Sequence, residues 1–439
     1  MLAMALARLR QLSAHEVGHT LGLMHNFAAS TTGRASVMDY PAPLATLTSN
    51  GRPTLEAAYA TGIGEWDKVS IRLGYSQFAP STDEKKALEA IVDEARRKGL
   101  RYLTDQDGRG TIGAQPYVNT WDNGRDPLEG MKLEMDVRRV ALARFGEANI
   151  RPDQPMAQME EVLVPLYLGH RYQAIGLAKM LGGLDYTYKL RGDSQPAMKP
   201  IPGAQQRSAL DMLLAALTPA ELRLPASVRS SLPPRPPGFG RSRELFRGHT
   251  GVVFDLYAPS EVAAGMVAEL IADPERAARL AYQKDFDARL PDLREVLETV
   301  SNRLWRSPVA TDAYDASLQR LAQTAWMDAL MDLAAHDGAA PAVRAATTAH
   351  LRELEGWLAK NPGGDWNTRA HRSLTQSDLT RFLARDWQPK KESAVTYVPP
   401  GEPIGQADED WMGRQERRER RMRWLERYAD FDRECEQGL

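Results

Sequence analysis

Apolar residues recur every three to four positions over much of the chain, and that spacing predicts helices. The first runs from Leu2 to Leu23, with Leu2, Leu6, Leu9, Leu12, Val17 and Leu21 at the apolar positions and Gly22 as its natural stop. From Asn26 to Leu47 small and turn-forming residues take over, including Ser30 to Gly33, Pro41 and Pro43, which predicts loop. Helical spacing returns over Ile63 to Gly74, Asp83 to Lys98 and Leu128 to Phe145, and the polar stretch Arg101 to Asp126 reads as an extended loop. Met159 to Leu190 is a long helical pattern, a pair or one bent element, broken late by Gly182 and Gly183. Ser260 to Ala272, Leu293 to Trp305, Ala316 to His336 and Pro341 to Lys360 follow the same period, and Gly251 to Tyr257 is the one plausible strand outside the first region. Proline-rich segments at Gln195 to Gln205, Leu224 to Arg241 and Gln388 to Ile404 are candidate linkers or surface connections.

Composition narrows the class without naming a partner. With 439 residues the chain exceeds the size of one typical core, so two or three structural units are expected. Its 43% hydrophobic and 26% charged residues, at a formal charge of -2, describe an ordinary soluble globular protein and give no electrostatic case for nucleic acid. Cys435 is the only cysteine, which excludes an intramolecular disulfide and a cysteine-based zinc cage. The opening Met-Leu-Ala-Met-Ala-Leu-Ala lacks a positive leader and does not read as a signal peptide. No uncharged apolar run reaches the ~18 residues that predict a membrane span.

The chemistry is concentrated between positions 15 and 40. His15-Glu16-Val17-Gly18-His19-Thr20-Leu21-Gly22-Leu23-Met24-His25 fits the pattern H-E-x-x-H-x-x-G-x-x-H at every defined position. Residues four apart lie one above the other on a helix, so the imidazoles of His15 and His19 can converge on one tetrahedral metal. Glu16 then stands beside the remaining coordination position as a general base. Gly22 permits the left-handed turn that brings His25 round as a third ligand. This points to Zn²⁺ as cofactor, with His15, His19 and His25 as ligands, and to hydrolysis of a peptide carbonyl by water that Glu16 deprotonates.

The motif resembles that of metzincin peptidases, and Ser36-Val37-Met38-Asp39-Tyr40 follows it, with Met38 thirteen residues beyond His25. The resemblance implies that Met38 forms a turn beneath the zinc site and supports the histidines by packing. It also implies, from astacin-like and serralysin-like members, that Tyr40 assists the transition state or ligates zinc weakly. Arg10 to Leu12, His25 to Ser30, Ser36 to Pro41, Gly64 to Asp67, Tyr102 to Asp105, Trp121 to Gly124 and Arg243 to Phe246 are similar to stretches of bacterial zinc-dependent metalloproteases whose C-terminal region is called a met-zincin domain. The fold expected is mainly α, a zincin-like active-site helix and Met-turn followed by a helical C-terminal region with few strands. The divisions expected are a catalytic subdomain over 1–126, helical regions over 127–240 and 241–390, and a linker with a charged helix over 391–439. By the same resemblance the protein is exported, periplasmic or extracellular, and its partner is a protein or peptide substrate. Metzincins carry a sheet before the zinc helix, whereas fourteen residues precede His15 here, so the expectation is either a fragment lacking its N-terminal segment or a protein without the upper half of the cleft. The rival readings are a zinc-binding but catalytically incomplete fragment and a helical interaction module.

The other polar features suggest less. His170, His249, His336, His350 and His371 join no spacing motif and read as surface or core. Asp105, Asp107 and Asp122 match no calcium loop and read as solvated carboxylates. Arg417, Arg418, Arg420, Arg421 and Arg423 alternate with Glu419 and Glu426, which suggests a salt-bridged surface helix over 416–427 rather than a nucleic-acid or membrane patch.

Overall fold

The computed structural model describes residues 2–110, 113–193 and 195–384. The charged run at 416–427 and the proline-rich segment at 388–404 lie outside the described residues. The fold is mainly helical. Its first part carries α1 (Leu2–Thr20), α2 (Glu65–Tyr75), α3 (Glu84–Arg97), α4 (Asp105–Gly108) and α5 (Pro127–Ala143). Then come α6 (Met159–Tyr167), α7 (Arg171–Ala178), α8 (Gly203–Ala216), α9 (Pro219–Leu222) and α10 (Ala226–Arg229). The last described part holds α11 (Ala258–Ile271), α12 (Pro274–Tyr282), α13 (Leu293–Trp305), α14 (Ala313–Ala335), α15 (Pro341–Lys360) and α16 (Trp366–Leu383). Strands are minimal: β1 (Thr46–Leu47) pairs antiparallel with β2 (Pro53–Thr54), and β3 (Leu184–Asp185) with β4 (Lys199–Pro200).

Aspartate starts many of these helices. The side chains of Asp83, Asp126, Asp273, Asp292, Asp312 and Asp365 each accept a backbone N–H in the first turn of α3, α5, α12, α13, α14 and α16. These caps satisfy donors that the helix cannot satisfy itself, and each is worth about 1 kcal/mol.

The main core is built by α5 to α16, with α14 packed against α11, α15 and α16 around the buried Trp305 and Trp326. The part of the chain before α5 has smaller cores. One gathers Ala29, Ala35, Val69, Ile91, Ala95 and Leu100, and another Phe27, Ala28, Leu103 and Val118. The loop after α1 is held between them.

Three expectations change. Gly251 to Tyr257 is not a strand: Val252 is 80% exposed, no strand pairs with it, and Asp255 instead closes a turn by accepting the N–H groups of His249 and Tyr257. Met159 to Leu190 is the expected pair, α6 and α7 divided at residues 168–170, but its end is β3 rather than helix. The proline-rich stretches at 195–205 and 224–241 are partly structured, containing β4, the start of α8 and α10. The first helix also packs differently from its apolar pattern. It buries Gln11, His15 and Gly18, while Leu2, Leu6, Leu9 and Val17 remain exposed, so the described helices do not cover its apolar face.

Candidate metal centre

The centre is built where α1 ends. Gly22, at φ +80°, takes the left-handed conformation that reverses the chain, and His25 returns to the face carrying His15 and His19. The three rings lie 4.7 to 5.3 Å apart between centroids, and one nitrogen from each falls within 4.8 Å of the other two. No other group of three such side chains is found among the described residues.

Hydrogen bonding decides which nitrogens face inward. His15 Nδ1 lies 2.7 Å from the Val37 carbonyl, and His19 Nδ1 lies 3.0 Å from the Leu23 carbonyl. A carbonyl only accepts, so both Nδ1 atoms carry the proton and both Nε2 atoms present lone pairs. Those two Nε2 atoms face each other at 3.1 Å. Two lone pairs at that distance repel unless a cation lies between them, and tetrahedral zinc with bonds of about 2.0–2.1 Å separates its nitrogen ligands by about 3.3 Å. His25 Nε2 is buried without a hydrogen-bond partner, while its Nδ1 lies 3.0 Å from both carboxylate oxygens of Asp105. The donor set therefore fits Zn²⁺. Burial pushes the His15 imidazole down to about 4, with the neighbouring His25 and His19 adding to the shift, so His15 stays neutral and able to donate its lone pair over most of the pH range.

Below the rings runs the segment Ser36 to Tyr40. Met38 is 1% exposed and lies against Gly18, where a Cβ would come within 2.3 Å of the Met38 sulfur. Only glycine lets the segment approach the helix between the first two histidines. The turn is held from below by Asp67, itself buried, whose carboxylate accepts from Ser36 Oγ at 2.5 Å, Val37 N at 2.9 Å and Gly64 N at 2.6 Å. Gly64 allows this approach, because a Cβ there would fall 2.0 Å from the Ala35 carbonyl oxygen.

Tyr40 closes one side. Its ring centroid is 5.1 Å from that of His15 and 4.8 Å from that of His25, and it stacks on Trp121 at 5.2 Å. Arg109 lies over the same ring at 5.3 Å and pairs with Asp105. Glu16 and His19 are exposed, so the centre opens to solvent on the side of the helix that carries them.

A sequence model of the Met-zincin family matches residues 1–312. The chain belongs to the Met-zincin family. The match covers the histidine segment, Met38, Asp67, Asp105 and most of the helices that pack behind them. Comparisons with curated proteins and with solved structures find no match.

The structure brings together His15, His19, His25, Met38 and Tyr40, with Gly22 at the turn. It corrects the reading of the three loop aspartates as solvated. Asp105 is half-buried against His25; hydrogen bonds from His25 and Arg109 outweigh burial and hold its carboxyl well below the usual carboxylate range. Asp107 is buried and accepts from the hydroxyls of Tyr186 and Tyr188. Burial pushes Asp122 up to about 7, beside Ser30 and Asn119. Sequence reasoning missed Asp67, Asp105 and Arg109 as parts of the site. One signal was available: the strings Gly64 to Asp67 and Tyr102 to Asp105, both similar to the family, end on the two carboxylates that brace the centre. His170 and His350 are core residues, His249 is exposed beside Glu261, and His371 stacks on Trp305.

Proposed function

We propose that this protein is a zinc-dependent metalloendopeptidase, with His15, His19 and His25 as zinc ligands and Glu16 as general base. The observation that carries this reading is the convergence of three imidazoles whose Nδ1 atoms are all engaged, leaving Nε2 lone pairs directed at one point. Zn²⁺ bound there would lower the pKa of water towards about 7 and polarise a peptide carbonyl. Glu16 follows the first ligand on the helix and faces solvent, so its carboxylate takes the proton from the attacking water and passes it to the leaving amine. Tyr40, whose ring lies beside His15 and His25 and is packed by Trp121 and Arg109, is the side chain that would stabilise the oxyanion developing on the carbonyl. The substrate is a protein or peptide. Among the described residues no helix is long and apolar enough to cross a membrane.

The test is Glu16→Gln, compared with wild type for zinc content and for cleavage of a quenched casein substrate. Retained zinc with a ~10²–10⁴-fold loss of cleavage is expected for a general base. Undiminished cleavage by the zinc-loaded variant refutes the role of Glu16. Zinc bound by a wild type that cleaves nothing supports instead a metal that staples the fold.

A further inference from the structure

The three ligand imidazoles are braced in two different ways. His15 and His19 lean on peptide carbonyls, whose positions follow from the backbone, whereas His25 leans on a side chain that comes eighty residues later. His25 also needs more bracing. It follows the left-handed turn at Gly22, where no helical hydrogen bonds set the direction of its ring.

We propose that Asp105 is the positioning residue of the third ligand: its carboxylate fixes the Nδ1–H tautomer and ring plane of His25, so that Nε2 presents its lone pair to the metal, and Arg109 holds that carboxylate in place. This rests on the zinc reading above and deepens it. The geometry supports each part. Both Asp105 oxygens lie 3.0 Å from His25 Nδ1, so the ring meets an acceptor whichever oxygen it faces. Thr104 Oγ1 donates to Asp105 Oδ2 at 3.1 Å, and Arg109, one turn along, donates to Oδ1. The carboxylate is therefore clamped from two sides besides His25.

The helix that bears it is clamped as well. Phe27 N donates to the Leu103 carbonyl at 3.0 Å and Asn26 Nδ2 to the Arg101 carbonyl at 2.9 Å, so the residues directly after His25 are tied to those directly before Asp105. At the other end of α4, Gly108 lies so close to the Phe27 ring that a Cβ would come within 2.4 Å of it. Arg109 then spans Asp105 and the Tyr40 ring, linking the brace of the third ligand to the tyrosine beside it. A carboxylate behind a ligating imidazole fixes its tautomer and raises its basicity, and loss of such a partner typically costs 10- to 100-fold in metal affinity.

The experiment measures zinc affinity by chelator competition for wild type, Asp105→Asn and Asp105→Ala, with apoprotein melting and the visible spectrum of the cobalt-loaded forms alongside. Asparagine keeps the shape but offers one acceptor oxygen, so about tenfold weaker zinc is expected, approaching a hundredfold for alanine. At saturating cobalt both variants should show altered d–d bands. Asp93→Asn, at a half-exposed carboxylate paired with Arg96, serves as control and should match wild type. Unchanged zinc affinity in folded Asp105 variants overturns the proposal. So does weakened affinity with lowered apoprotein melting and an unchanged cobalt spectrum, which marks a merely structural role. A wild type that takes up no zinc overturns the zinc reading and this proposal together, whereas one that binds zinc without cleaving peptides sinks the peptidase reading and leaves the Asp105 comparison to be decided by affinity.

Discussion

Replacing Asp67 by alanine should disturb the metal centre without touching any ligand. The carboxylate accepts from two backbone N–H groups, Val37 and Gly64, and from the Ser36 hydroxyl. Hydrogen bonds to a charged acceptor contribute about 1.5–3 kcal/mol each, and a buried donor left unpaired costs about 1–3 kcal/mol. Against this, alanine removes the desolvation penalty of a buried carboxylate, which is several kcal/mol. The net expectation is a loss of about 3 kcal/mol, and of about 1–2 kcal/mol for Asp67→Asn, which keeps one acceptor oxygen. A second effect follows from the chain of contacts. The Val37 carbonyl receives both His15 Nδ1 and Gln11 Nε2, so loosening the turn also releases the brace of the first ligand, and zinc affinity should fall about tenfold. Urea denaturation of the apoproteins reads the first effect as a lower midpoint at unchanged slope, and chelator competition reads the second. Stability within about 0.5 kcal/mol of wild type for Asp67→Ala would refute the reasoning, since surface carboxylates behave that way.

Two further outcomes are expected. Gly18→Ala gains about 1 kcal/mol of helix propensity but forces a Cβ to 2.3 Å from the Met38 sulfur; it should destabilise by about 1–2 kcal/mol net, and combining it with Met38→Ala should show coupling of about 1 kcal/mol in a double-mutant cycle. His371, pushed down to about 4 by burial and by the nearby Arg320 and Arg372, excludes in the folded state a proton that the unfolded chain takes up near 6.5. Its contribution is present above pH 6.5 and is lost as pH falls towards 4, so His371→Phe, which keeps the ring on Trp305, should lose roughly 2 kcal/mol less than wild type between pH 7 and 4.5, measured by denaturation at each pH.

The three histidines were legible as candidate ligands because their spacing is a property of one helix turn and one glycine, and both leave a mark within eleven residues of sequence. The bracing groups were not. Asp67 and Asp105 reach the centre across thirty and eighty residues, and no periodicity links an aspartate in a loop to the imidazole it faces. The helical character of the chain was readable from the 3.6-residue period, and of the pair or single bent element expected over Met159 to Leu190 the pair is what forms, as α6 and α7. Val252 and Val253 imitated a strand because β-branched residues favour extended backbone, while a strand also needs a neighbour. The buried side of the first helix is set by Gln11, His15 and Gly18, whose hydrogen bonds and close packing to 37–38 outrank hydrophobic spacing.

The different reach of ligands and braces makes the centre a reporter of tertiary assembly. A peptide covering residues 10–30 would hold every metal-binding nitrogen, but of the three groups that aim those nitrogens it would contain only the Leu23 carbonyl. On the zinc reading proposed above, tight metal uptake would wait until the segments at 37 and 105 have docked, so a nascent or partly unfolded chain with the complete histidine motif would compete poorly for zinc. Metal occupancy would then register the docking of those two segments on the histidine helix.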